Sequence, residues 1–147
     1  HLIKIDALRD ATRNDLDKVK SDISEEDYQK CLYIIQENER VQLFSEAIEE
    51  NNIVSLGEYL YKSHEGLSTK YNVSCKELDF LVDSTRENQN IIGARMMGGG
   101  FGGCTINLIL KSEVKNFKKD ISQKFQNKFN RACSIYSVKL SKGTRKV

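Results

Sequence analysis

Five of the six residues from Gly98 to Gly103 are glycine, GGGFGG, in a chain of 147 residues that holds nine glycines and no proline. Lacking a Cβ, glycine takes positive φ without steric cost and lets another backbone or a substrate approach the chain directly. Consecutive amides in such a turn form a concave nest for an anion. A hairpin needs only about one or two glycines, and a longer run costs conformational entropy. The run therefore predicts a loop whose bare backbone is used. Gly98, Gly100 and Gly103 also match GxGxxG, but that dinucleotide fingerprint has to open a helix. Here TINLIL follows Cys104, rich in β-branched and apolar residues, and reads as a strand. Cys104, Thr105 and Ile106 stand where a phosphate-binding GxxxxGK[ST] loop would place its lysine, so that motif is excluded too.

Other reactive residue types are sparse. His1 and His64 are the only histidines, and Cys31, Cys75, Cys104 and Cys133 are scattered without a CxxC pair. No clustered zinc-ligand pattern results, and the cysteines read as free thiols of a reducing cytoplasm. His64 is expected to be hydrogen-bonded at a helix end, outside the site, rather than to carry protons. Arg95 either faces the loop's cleft or joins a structural ion pair, and spacing leaves both open. The formal charge of +2 divides into −7 over residues 1–110 and +9 from Lys111 onward. In that basic part Lys115, Lys118, Lys119 and Lys128 interleave with Val114, Phe117, Ile121 and Phe125 at helical spacing, which predicts a solvated helix face and not a nucleic-acid site. No apolar run approaches the roughly 18 residues of a membrane span, so no membrane partner is expected.

The elements that must position the loop follow from periodicity. Average usage would place about seven prolines in this length, and their absence favours a helix-rich domain. Ser24 with Asp27 predicts a helix N-terminus, followed to about Glu50 by an inward stripe of Ile34, Val41, Phe44 and Ile48. Glu37 or Asn38 interrupts that stripe and needs a tertiary hydrogen-bond partner. A second helix is predicted over Ile53 to Leu67 with Leu56, Leu60 and Leu67 inward. SHEGLSTKYNVSC is polar and turn-like, and Ser74 with Glu77 forms a capping box before Leu78, Leu81 and Val82. Ile91–Met97 and Cys104–Leu110 read as strands, Ser112 as the cap of a helix to about Phe129, and Ser134–Leu140 as a last strand. The fold class is α+β: helices first, then a mainly antiparallel sheet with packed helices.

With these residues in place, GARMMGGGFGGCTINLI from Gly93 to Ile109 resembles the third signature motif of the GHMP small-molecule kinases, in the form seen in galactokinases. ENERV at Glu37–Val41, GEYLYKSHEGLSTKYNVSCKELDFLV at Gly57–Val82 and the closing strand resemble the C-terminal half of that family in order and spacing. Met97 departs from the Thr or Ser that many galactokinases carry before the glycines, so no polar contact is assigned there.

The resemblance implies one GHMP kinase C-terminal domain over residues 1–147, ferredoxin-like in fold. The chain begins at His1 and not at Met, as expected of a fragment or processed product. The family's sugar motif, serine-rich phosphate loop, catalytic Asp and its Arg partner belong to an N-terminal half absent from this sequence. No catalytic residue, metal ligand or certain cofactor contact is carried over, and the chain alone is expected to be inactive. The implied activity of the whole enzyme is transfer of the γ-phosphoryl group of ATP, with Mg²⁺, to the 1-hydroxyl of galactose. Its expected partners are galactose, ATP and the N-terminal kinase domain. Gly98, Gly99, Gly100, Phe101, Gly102 and Gly103 are expected to line the cleft between the halves, with Phe101 as the loop's packing anchor. The alternatives are a free-standing ligand- or partner-binding module on the same fold, or a kinase for N-acetylgalactosamine or another GHMP substrate.

Overall fold

The computed structural model describes residues 4–139. Helix α1 (Arg13–Lys18) is short and closed by Thr12, whose Oγ1 accepts from the Asp15 amide at 3.2 Å while Asp15 Oδ2 accepts from the Thr12 amide at 3.2 Å. Helix α2 (Glu25–Glu49) starts at the predicted cap: Ser24 Oγ accepts from the Asp27 amide at 3.0 Å. Glu25, Glu26 and Asp27 place negative charge at the positive end of its dipole.

The single stripe predicted along α2 is not the buried one. Val41 and Ile48 are largely exposed. The first half of α2 instead buries Tyr28, Leu32 and Ile35 against Ala11, Leu16 and Val19 of the N-terminal segment. Further along, Tyr33 and Glu37 reach Ser63 on the next helix. A helix with two partners on different faces carries two short stripes, and one pattern drawn through both misplaces the second.

Helix α3 (Ile53–Thr69) runs past the predicted turn and takes Ser63–Thr69 into its last two turns. Its buried residues are Gly57, Ser63, His64 and Gly66, with Leu56, Leu60 and Leu67 only half-buried. The apolar leucines flank the interface while small residues form its centre. A Cβ on Gly57 would overlap the Ile92 carbonyl oxygen and lie 2.9 Å from its carbon; one on Gly93 would lie 2.7 Å from the Gly57 Cα. These two glycines let α3 lie directly on strand β1 (Ile91–Met97).

Helix α4 (Lys76–Arg86) is capped by Cys75, one residue later than predicted, so the Ser74–Glu77 box does not form. Ser74 Oγ instead donates to Asp79 Oδ1 at 2.6 Å. Leu78 and Val82 are buried as expected. Strand β2 (Cys104–Ile109) pairs antiparallel with β1 from Met97↔Cys104 to Ile91↔Ile109, with one irregularity between Ile91 and Gly93. Helix α5 (Val114–Phe129) follows a 3₁₀ turn at Lys111–Glu113, and Ser112 does not cap it. Phe117, Ile121 and Phe125 point inward, packing with Ile91 and with Phe80 and Phe129, and leave the lysines of α5 on the outer face.

The α+β reading holds, with the sheet a two-stranded hairpin among the described residues. The closing strand does not form over Ser134–Lys139, and Leu140 lies outside the described residues. Ile135 packs on the Ile91–Phe117–Ile121 cluster, whereas Tyr136 and Val138 are exposed. Alternation can mark an extended segment, but a strand also needs an edge to pair with, and this segment finds none among the described residues.

Candidate functional site

The glycine loop joins β1 to β2, and its backbone shows why the glycines are needed. Gly98, Gly100, Gly102 and Gly103 have φ of 85°, 90°, 138° and 100°, a region L-residues rarely occupy. At Gly100 the conformation coincides with close approach: a Cβ there would overlap the Val73 carbonyl oxygen and lie 2.8 Å from the Val73 Cβ. Gly98, Gly99 and Gly102 instead face open space, with no atom within 4 Å of a Cβ built on them. The loop bounds a cavity of about 540 Å³ lined by Met97 to Cys104.

Phe101 occupies the left-handed region at φ 60°, and its amide donates to the Val73 carbonyl at 2.7 Å. The residue is 78% exposed. Within this chain the loop is attached by the Phe101 amide and the bare Gly100 rather than by the Phe101 side chain. Removing an exposed ring costs little folding energy, so Phe101→Ala is expected to shift domain stability by less than about 0.5 kcal/mol in denaturant unfolding.

Among the described residues no acceptor takes the amides of Gly98, Gly99, Gly100, Gly102 or Gly103. Backbone donors left unpaired in one loop form a donor set for an anion. The loop lining holds no carboxylate, so it supplies no hard oxygen side chain for Mg²⁺, which takes carboxylates together with substrate phosphates.

Around the loop lie polar groups that periodicity alone could not place. Arg95 belongs to an ion-pair network and not to the loop: its Nη1 lies 3.3 Å from Glu37 Oε1, and its Nε donates to the Met96 carbonyl at 3.0 Å. Glu37 also accepts from Arg40 and from Ser63 Oγ, which supplies the tertiary partner that the gap in the α2 pattern demanded. His64 lies inside α3, 2% exposed, and not at a helix end. Its Nδ1 accepts from the Met96 amide at 3.2 Å, which leaves the proton on Nε2, 3.2 Å from Asp79 Oδ1.

Burial pushes the His64 pKa below its ordinary value of 6.5, with the Asp79 charge opposing that shift. A folded-state value lowered in this way means that neutral His64 stabilises the fold above pH 6.5, and that this contribution is lost as pH falls through the folded value. Protonation would also turn Nδ1 from an acceptor into a second donor facing the Met96 amide. The urea midpoint is therefore expected to fall between pH 7.5 and about pH 5, with a smaller fall in His64→Gln, whose amide does not titrate.

All four cysteines are free. No helix among the described residues is long and apolar enough to cross a membrane.

Three comparisons bear on the loop and its scaffold. The family model described as GHMP kinases C terminal matches residues 44–127. A galactokinase of Thermosipho africanus is 38% identical over 99% of this chain and 41% of its own length. That of Clostridium beijerinckii is 35% identical over 97% of this chain and 37% of its own. Among solved structures, Lactococcus lactis galactokinase complexed with galactose superposes with a TM-score of 0.84 at 30% identity, over 91% of this chain and 35% of the neighbour. The chain thus spans about two fifths of the length of the curated relatives it matches.

Proposed function

The chain belongs to the GHMP kinases, as their C-terminal domain, and from that premise we propose that it is the C-terminal part of a galactokinase. The whole enzyme transfers the γ-phosphoryl group of ATP to the 1-hydroxyl of galactose, yielding galactose 1-phosphate and ADP. The observation that carries this reading is the glycine loop, five of whose amides find no acceptor among the described residues, set in a chain 38% identical over 99% of its length to part of a galactokinase. Phosphoryl transfer spreads charge over the equatorial phosphate oxygens, and catalysis consists mostly of positioning and of stabilising that charge. Amides already fixed by glycine geometry do this without reorganising during the reaction.

In this reading the loop from Gly98 to Gly103 faces the remainder of the enzyme and closes its sugar and phosphate site. ATP contributes the transferable group, and the loop residues hold phosphate oxygens through backbone N–H groups. Mg²⁺ is held by the N-terminal half, consistent with a loop that carries no carboxylate. Phe101, exposed here, packs against that half. The protein works in the cytoplasm.

The chain by itself should release no ADP in the presence of ATP and galactose, and calorimetry should detect no galactose binding to it. Tight sugar binding by the isolated chain would favour a free-standing binding module instead, a reading that the galactokinase relatives do not favour.

A further inference from the structure

The end of β1 and the middle of the glycine loop are joined through the helices by one path of hydrogen bonds, a close imidazole–carboxylate contact and a covalent link. On β1, the Met96 amide, two residues before Gly98, is taken by an imidazole where an additional strand would otherwise be needed: it donates to His64 Nδ1 at 3.2 Å. His64 Nε2 lies 3.2 Å from Asp79 Oδ1, and that same oxygen accepts from Ser74 Oγ at 2.6 Å. Ser74 follows Val73, whose carbonyl accepts the Phe101 amide at 2.7 Å and whose backbone and Cβ face Gly100. The path therefore leaves β1 at Met96, crosses α3, α4 and the α3–α4 connector, and reaches the loop at Gly100 and Phe101.

We propose that His64, Ser74 and Asp79 are positioning residues that act together as a clasp, holding the end of β1 and the middle of the glycine loop at a fixed separation. Each member has a defined part. His64 is fixed as the Nε2–H tautomer by the Met96 amide, Asp79 Oδ1 joins the other two side chains, and Ser74 fixes the connector that carries Val73. None of the three lines the loop cavity, so they act through Met96 and Val73 and touch no reacting atom. Loop amides are useful to an anion only if their spacing is set before it arrives. The catalytic consequence rests on the galactokinase reading above; the mechanical one does not.

The test uses the intact protein that carries this domain, comparing wild type with Asp79→Ala, Asp79→Asn and Ser74→Ala. Hydrogen–deuterium exchange reads the Met96 and Phe101 amides, the two ends of the path that carry hydrogen bonds, and steady-state kinetics are run with ATP and galactose. Asn keeps an acceptor oxygen at the Oδ1 position and Ala removes it. Loss of a hydrogen bond in Asp79→Ala is expected to speed exchange at these two amides by about tenfold. The turnover number should fall by about the same factor while the galactose KM stays within about twofold, the signature of an interaction used in the transition state. Asp79→Asn should stay near wild type in both, and Ser74→Ala, which keeps the His64–Asp79 contact, should show the Ala pattern more weakly.

A folded Asp79→Ala with unchanged exchange at these two amides, or an Asn variant as damaging as Ala, overturns the clasp. If Asp79→Ala does not fold, Ser74→Ala decides by the same criterion. If wild type exchanges as expected and the variants open the loop, but no variant or wild type phosphorylates galactose, the galactokinase reading fails and the clasp stands.

Discussion

Gly100→Val in the intact enzyme is expected to lower galactose-dependent turnover by about a hundredfold or more, on the scale of losing a preorganised oxyanion donor, while the domain stays folded. Two effects coincide at this position. The backbone sits at φ 90°, which a β-branched residue cannot share, and the new Cβ would overlap the Val73 carbonyl oxygen. The carbonyl is already held by the Phe101 amide, so it cannot retreat without releasing the loop. The loop therefore moves, and its glycine amides lose their spacing. The hydrophobic clusters lie elsewhere, under α2 and α5, so unfolding should remain cooperative. Kinetics together with circular dichroism check the prediction; normal turnover in this variant would remove the loop from the active site.

Gly57→Ala is expected to have the largest effect on stability. One methyl group on α3 would be driven into the Ile92 carbonyl, and the opposing Gly93 leaves little slack, since a Cβ built on it would lie 2.7 Å from the Gly57 Cα. Overpacking of a rigid interface costs typically 1–3 kcal/mol, and here the obstacle is backbone, so about 3 kcal/mol or more is expected. Separation of α3 from β1 would also pull His64 away from the Met96 amide. Urea unfolding of the domain checks this, and a loss under about 1 kcal/mol, the lower end of overpacking costs, would show that the α3–β1 contact yields easily.

Much of this is legible in the residues. The hairpin strands appear where periodicity puts them, β1 over the predicted residues and β2 ending one residue early. The helix after them buries Phe117, Ile121 and Phe125 as read. The β-branched and apolar run after Gly103 is enough by itself to exclude a dinucleotide loop, and β2 forms there. Helix α3 marks where periodicity stops being informative. Its centre is Gly57, Ser63, His64 and Gly66, residues that a hydrophobic pattern assigns to turns and surfaces. They are inside because a strand and a tyrosine ring pack against them, a tertiary fact without local signature. The clasp escapes the sequence for the same reason: SH, VS and ELD are polar runs, and only their meeting at Asp79 Oδ1 makes them a unit. The closing segment fails in the opposite direction, being extended in character yet without an edge to pair with among the described residues.

The product formed by the intact protein decides most directly whether this domain completes a galactokinase. With ATP, Mg²⁺ and galactose, equal amounts of ADP and galactose 1-phosphate should appear, N-acetylgalactosamine should be a poor acceptor, and Gly100→Val should lower both products together. ADP release that is independent of galactose, or phosphorylation of N-acetylgalactosamine in preference to it, would contradict the galactokinase reading.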